Sequence, residues 1–312
     1  MEGSKETIVL TGANGGFGRG IIAKITSTPE FARYHGCYLV RNVSSAAELK
    51  AALRNGPPSH SYDILELDLS SLSNVRELAT SVTSRVKNGD MPPLHSVILN
   101  AGYNNIEQES STPESFDTAF SMNQDHGRIV VIGSNSYDTS ASIHEISGYY
   151  KEDKWNNKGD VPLEAGVRRY GVSKMCAIMM VGELQSRLDS DPVLKYISIT
   201  ALDPGSMGPG LTCRGNWFTR VLLWPVILPL LASLLTWFNP NGSVRTISKS
   251  SLDALAAAFS APKALRGKYL NGSELEDVVQ EAADTRKRTM VWRDSVRYYQ
   301  LREQDTALAH WA

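Results

Sequence analysis

The chain has 312 residues, 42% apolar and 21% charged, which suits one large α/β domain or two small ones with a sizeable core. Lysine plus arginine number 32 and aspartate plus glutamate 33, so the net charge of −1 argues against a nucleic-acid binder, which carries a basic excess. Cys37, Cys176 and Cys213 are too few and too far apart for a disulfide framework or a CxxC metal or redox pair, and the opening residues lack the basic and apolar regions of a secretory signal. The expected setting is therefore a reducing, cytoplasmic one.

Short apolar runs alternate with helical patterns along the whole chain. Thr7–Leu10 reads as a buried strand and residues 17–27 as a helix. Cys37–Val40 is a second strand, with a helix over 45–54. Ile64–Leu67 is a third, with a helix over 72–87. Val97–Leu99 and Ile129–Ile132 follow as strands, then a long helix over about 166–188. Ile197–Ala201 is a sixth strand and Lys268–Leu270 a candidate seventh. Continuous β-branched runs separated by helices indicate a parallel sheet covered on both faces, and right-handed crossovers make it doubly wound. No linker or repeat divides residues 1–312, so a single α/β domain is expected.

The run Thr11-Gly12-Ala13-Asn14-Gly15-Gly16-Phe17-Gly18 lies between the first strand and the first helix. Glycines there let the backbone turn tightly and approach a pyrophosphate, while the helix N-terminus offers free N–H groups and partial positive charge. A glycine cluster alone is weak evidence; this placement makes it a nucleotide-binding signal. The second strand ends in Arg41-Asn42 with no carboxylate, which favours the 2′-phosphate of NADP(H) over the 2′-hydroxyl of NAD(H). A solvated surface arginine is the plain alternative. Asp68, after the third strand, is either an acceptor for the adenine amine or part of a helix cap.

Tyr170 and Lys174 stand four residues apart on the long predicted helix, hence on one face. A free tyrosine titrates near 10, too high for efficient proton transfer at neutrality, and a nearby ammonium would help. Ser134, past the fifth strand, is the candidate hydroxyl to orient a carbonyl or alcohol oxygen.

Taken together, TGANGGFG at 11–18, LDLS at 67–70, NAG at 100–102, IVVIGS at 129–134, YGVSK at 170–174 and DPG at 203–205 resemble the short-chain dehydrogenase/reductase family. The resemblance covers most of the chain. The long gap between Ser134 and Tyr170 looks like retinol-dehydrogenase-like members and fungal relatives of secondary metabolism. It implies a Rossmann-like fold and an NADP(H)-dependent oxidoreductase acting on CH–OH groups. The implied reaction interconverts a ketone or aldehyde and an alcohol on a hydrophobic small molecule. By the same resemblance Tyr170 is the general acid/base, Ser134 positions the reacting oxygen and Lys174 holds the nicotinamide ribose. Thr11, Gly12, Asn14, Gly16, Phe17, Gly18, Arg41, Asp68, Asn100, Ala101, Gly102, Pro204, Gly205 and Ser206 line the cofactor, with Tyr170 and Lys174.

Two departures stand out. The family places a long helix before the fifth strand, with a catalytic asparagine in its middle. Here Asn123 lies only eleven residues before Ser134, and the apolar second half of that helix is missing. Asn123 is either the family asparagine or a residue brought close by a deletion, such as an exon lost to splicing or to a gene model. A stunted helix would leave part of the sheet face uncovered and weaken the homo-oligomer contact that the resemblance implies. The alternative function is accordingly a nucleotide-binding relative with impaired catalysis. The second departure is Pro209, where the family often has a carboxamide-binding threonine, leaving Ser206 or Thr212 for that contact.

From Trp217 to Phe238 the chain is apolar, with Arg220 the one charge. The uncharged run is short for a membrane span, which needs about 20 residues, and Pro225 and Pro229 interrupt it. Three readings compete: a substrate lid within about 206–245, a peripheral contact with an intracellular membrane through 217–238, or ordinary core. Tyr149, Tyr150 and Trp155 either wall the pocket or pack their own insert. The histidines show no metal-ligand spacing and read as structural or surface residues. Arg286-Lys287-Arg288 reads as a solvated helix face, and Cys176 as core.

Overall fold

The computed structural model describes residues 6–102, 126–138, 163–207, 228–260 and 263–311. Their strands form one sheet: β1 (Thr7–Thr11), β2 (His35–Val40), β3 (Tyr62–Glu66), β4 (Leu94–Leu99), β5 (Arg128–Ile132), β6 (Ser198–Asp203), β7 (Tyr269–Asn271) and β8 (Glu274–Glu276), in the order β3-β2-β1-β4-β5-β6-β7-β8. Seven strands run parallel. The eighth pairs antiparallel with β7 through a tight turn, an edge the sequence reading did not contain. The order reverses on either side of β1, which is the doubly wound topology expected, and the crevice at that switch point opens beyond the carboxyl ends of the strands.

Alternation along each strand sends side chains to two separate cores. Ile8, Leu10, Tyr38, Val40, Ile98 and Val130 face one layer, built from α1 (Gly16–Ser27), α3 (Ala47–Arg54) and, further along the chain, a helix over Ile247–Phe259. A short α2 (Pro29–Ala32) joins the first layer to β2. Val9, Cys37, Leu39, Val97, Ile129 and Val131 face the other layer, built from α4 (Leu72–Lys87) and α5 (Leu163–Ser190). Downstream come α6 (Leu228–Phe238), α7 (the Ile247–Phe259 helix), α8 (Gln280–Ala283) and α9 (Thr285–Tyr298).

The expectation of an uncovered sheet face is corrected at the positions the structure describes. Val97, Ile129 and Val131 are at most 3% exposed. The C-terminal segment helps close this layer. Val291 and Trp292 of α9 are buried in the same core as α5, and the Trp292 indole donates to the Trp311 carbonyl. Arg76 of α4 donates to the carbonyls of Tyr299 and Gln300 and pairs with Asp305 at 3.1 Å. The basic triplet at 286–288 is only partly a solvated face. Arg286 is exposed, but Lys287 pairs with Glu281 and Arg288 lies against Gly182 of α5.

Candidate active site

The glycine turn is built by close approach. Gly12 adopts φ +64, and a Cβ there would lie 2.9 Å from the Ala101 Cα, so only glycine lets β1 turn against the end of β4. A Cβ on Gly18 would meet the Gly12 carbonyl oxygen at 2.4 Å; its absence lets α1 pack directly on the turn. Gly16 is different: nothing lies within 4 Å of its Cβ position, so the space over the first residue of α1 is open. No side chain caps that helix at Gly15. Free N–H groups, the helix dipole and open space together suit a phosphate group.

Several residues expected to touch a cofactor hold this crevice together. The buried Thr11 hydroxyl accepts from the backbone N–H groups of Asn100 and Ala101, at 2.9 and 2.8 Å. The Asn100 amide donates back to the carbonyls of Thr11 and Gly12. Asn14 donates to the Ser45 carbonyl. Phe17 is half-buried against the first core. Arg41 is exposed just past β2. Asp68 accepts from the N–H and hydroxyl of Ser70, which holds its carboxyl below the usual carboxylate range, with the positive charge of Arg41 adding to the effect. Asp68 thus lies in the helix-cap region, in the turn that leads to Ser71, the N-cap of α4.

Beyond the ends of β4 and β5 the remaining groups converge. The Lys174 ammonium donates to the Ile132 carbonyl at 3.0 Å, two residues before Ser134. It stands 5.7 Å from the Tyr170 ring centroid, one helical turn away on α5, and about 4.0 Å from where a Gly102 Cβ would be. The half-buried Ser134 hydroxyl accepts from the Ser136 N–H and donates to the Ser136 hydroxyl. Buried on the same helix, the Cys176 thiol is pushed up to about 12, as is Cys37 on β2, so both are held as unreactive core thiols. Asn123, Tyr149, Tyr150, Trp155, Pro209, Thr212 and Cys213 lie outside the described residues.

At the end of β6 the Asp203 carboxylate accepts from the Gly205 N–H, and the Pro204 carbonyl accepts from the Ser250 hydroxyl. Ser206 forms a bridge to Val244, so the chain that leaves the sheet there returns to the same place. The sequence reading missed the residue that fastens this junction. Arg245 is fully buried and donates to the carbonyls of Asp203, Asn241 and Gly242 and to the side chain of Asn271. Its one signal was a lone charge ending a long uncharged stretch. Also missed was a cluster at the opposite, amino-terminal end of the central strands, where each oxygen of Glu6 bonds one histidine, His95 at 3.0 Å and His126 at 2.9 Å. The ligand atoms of the three side chains all lie within 4.8 Å of one another.

No family model matches the sequence. The chain is 37% identical to the short-chain dehydrogenase iccH of Talaromyces variabilis, over 98% of each chain. That alignment runs over 360 positions, more than the 312 residues here, so the relative carries stretches that this chain lacks. Human retinol dehydrogenase 13 is 23% identical over 94% of this chain and 84% of its own. Among solved structures, the angucycline C-6 ketoreductase LanV with bound NADP superposes with a TM-score of 0.56 at 18% identity, covering 87% of this chain and 97% of that one. That likeness shows the fold; the fungal relative shows the family. The chain belongs to the short-chain dehydrogenase/reductases, oxidoreductases that use a nicotinamide cofactor to interconvert carbonyl and alcohol groups.

Proposed function

We propose that the protein is an NADP(H)-dependent reductase or dehydrogenase acting on a hydrophobic ketone, aldehyde or alcohol, in secondary metabolism. The observation that carries this reading is the anchored Lys174 ammonium, held by the Ile132 carbonyl beside Ser134 and over Tyr170. The open space above Gly16 and the uncapped start of α1 fit the cofactor's pyrophosphate. Gly102, Pro204 and Gly205 would hold the nicotinamide end, and Lys174 the ribose. When bound, the cofactor supplies or accepts the hydride.

The chain's own residues position and move the proton. Tyr170 donates its phenolic proton to the oxygen of the substrate as negative charge builds there, and takes it back in the reverse direction. Negative charge left on the phenol is offset by the Lys174 cation, 5.7 Å from the ring centroid. Ser134 donates a hydrogen bond to the same substrate oxygen, exchanging its contact with Ser136 for it. The Lys174–Ile132 bond keeps the ammonium from swinging out to solvent, which spares the site the reorganisation that a free lysine would undergo. Tyr170→Phe removes the proton donor, so ketone reduction by NADPH should fall about 10²- to 10⁴-fold while NADPH binding stays within about threefold. Retained turnover would sink the assignment.

NADP(H) preference rests on Arg41 and on the absence of a carboxylate at the end of β2. Arg41→Asp should weaken NADPH binding at least about tenfold relative to NADH, since it replaces a phosphate partner with a like charge. An unchanged ratio of the two affinities would remove Arg41 from the site. The stretches present in the Talaromyces relative and lacking here favour one second reading, cofactor binding without efficient turnover. NADPH binding with no reduction across a ketone panel would select it.

A further inference from the structure

We propose that α6 seats the protein on a lipid bilayer, and that the substrate reaches the site from that side. The inference rests on the reading above, because it takes the substrate to be hydrophobic. Leu231, Leu234, Leu235, Trp237 and Phe238 are 44–74% exposed, with Trp237 the most exposed. At 100° per residue these five positions spread over about 160° of the helix circumference. Ala232 is buried and Thr236, one turn on, is half-buried; its hydroxyl accepts from the Thr246 N–H. The helix therefore touches the body along a narrow line and presents bare apolar side chains over nearly half its girth.

The occupant follows from shape and charge. The apolar stripe by which a surface helix packs on its own protein is about 100° wide or more, and α6 already meets the body along a separate line, Ala232 and Thr236. A bilayer closes around such a helix from every outward direction. No charged side chain occurs between Arg220 and Arg245, so nothing in this stretch has to be dragged out of water. Trp237 and Phe238, ring to ring at 4.5 Å, end the helix, and the polar Asn239-Pro240-Asn241-Gly242 follows at once. The amphipathic indole of Trp237 beside polar residues is what the headgroup level selects, and Phe238 adds apolar area. Eleven residues make about 16 Å of helix, half of the hydrocarbon thickness, so α6 lies in the interface and does not span it. Among the described residues no helix is long and apolar enough to cross a membrane.

The position of α6 connects this surface to the chemistry. The excursion that carries it leaves at Ser206 and returns at Val244, next to Pro204 and Gly205 at the candidate nicotinamide end. An apolar substrate that arrives from lipid at this junction reaches those residues without passage through water.

The test is flotation of the full-length protein with dioleoylphosphatidylcholine vesicles. Wild type should float, at 0.5 M NaCl as well as at low salt, and added phosphatidylserine should change the bound fraction less than twofold. The double variant Leu234→Asp with Trp237→Asp should lower that fraction at least tenfold. Both side chains are exposed, so the fold should survive, and NADPH titration of the variant should match wild type. Phe238→Ser, a gentler change, should give an intermediate loss. Protein that stays with the dense fraction, or a double variant that floats as well as wild type, overturns the proposal. So does a concentration-dependent dimer that the double variant dissociates, which would give the face to a second copy. Failure of wild type to bind NADPH would instead strike the oxidoreductase reading, whatever the flotation shows.

Discussion

Arg245 is the part of the structure whose removal has the most calculable effect. Its guanidinium bonds the Asp203 and Asn241 carbonyls at 2.8 and 2.7 Å, the Gly242 carbonyl at 2.8 Å and the Asn271 side chain. One Asp203 oxygen, buried without a hydrogen-bond partner, lies 4.0 Å away. Burial raises the Asp203 carboxyl above its ordinary range, while Arg245 works in the opposite direction. Arg245→Met keeps most of the volume and removes every donor. Each stranded buried acceptor costs about 1–3 kcal/mol, and breaking a buried charge pair about 3–5 kcal/mol. These terms overlap, and water would re-enter part of the gap, so a net loss of about 4–6 kcal/mol is expected. That is a large share of the roughly 5–15 kcal/mol that holds a domain folded. Arg245→Lys keeps the charge but cannot span acceptors on β6, β7 and the returning chain together, and about half the loss should remain. Urea unfolding of the three proteins measures this directly. A Met variant within about 1 kcal/mol of wild type would refute the reasoning, as would a Lys variant as unstable as the Met one.

Two further predictions rest on separate parts of the molecule. Gly18→Val places a side chain where even a Cβ would stand 2.4 Å from the Gly12 carbonyl oxygen, so NADPH binding should be lost and stability should fall by about 1–3 kcal/mol or more; isothermal titration and melting curves check both. The buried His60 ring bonds the Tyr38 hydroxyl at 2.7 Å and the Ala32 carbonyl at 3.0 Å, and burial lowers its pKa. The unfolded chain then takes up a proton near pH 6.5 that the folded chain resists, so the stability His60 contributes is intact above that pH and declines as pH falls below it. Melting temperature between pH 7.5 and 5 should drop more steeply for wild type than for His60→Gln; parallel slopes would show that the ring is not responsible.

Strong local signals carried most of the architecture. β1, β2, β4, β5 and β6 read correctly because buried parallel strands are continuous apolar runs, and the glycine turn because its position between strand and helix is itself the evidence. α7 was passed over for a physical reason. Its buried side carries Ser250, Ser251, Ala254, Ala257 and Ala258 beside Asp253 and a single leucine, Leu255, so small and polar residues leave little hydropathy contrast. A Gly20 Cβ would stand 2.2 Å from Ile247 at the end of that helix. β8 escaped notice because it is three exposed residues, Glu274–Glu276, paired only at the edge. At the site, Thr11 and Asn100 were singled out as cofactor contacts, and in the structure they bond each other's backbone, which spacing along one chain does not reveal. Glu6, His95 and His126 meet only because β1, β4 and β5 are neighbours in the sheet.

The junction at Ser206 and Val244 divides the chain into a closed excursion and the rest. A segment whose ends already meet can grow, shrink or be exchanged with little effect on what lies outside it, since the entropy of closing a loop rises only with the logarithm of its length. The sheet, the glycine turn and the lysine anchor all lie outside that junction. A change of length or sequence between Ser206 and Val244 can therefore leave all three where they stand.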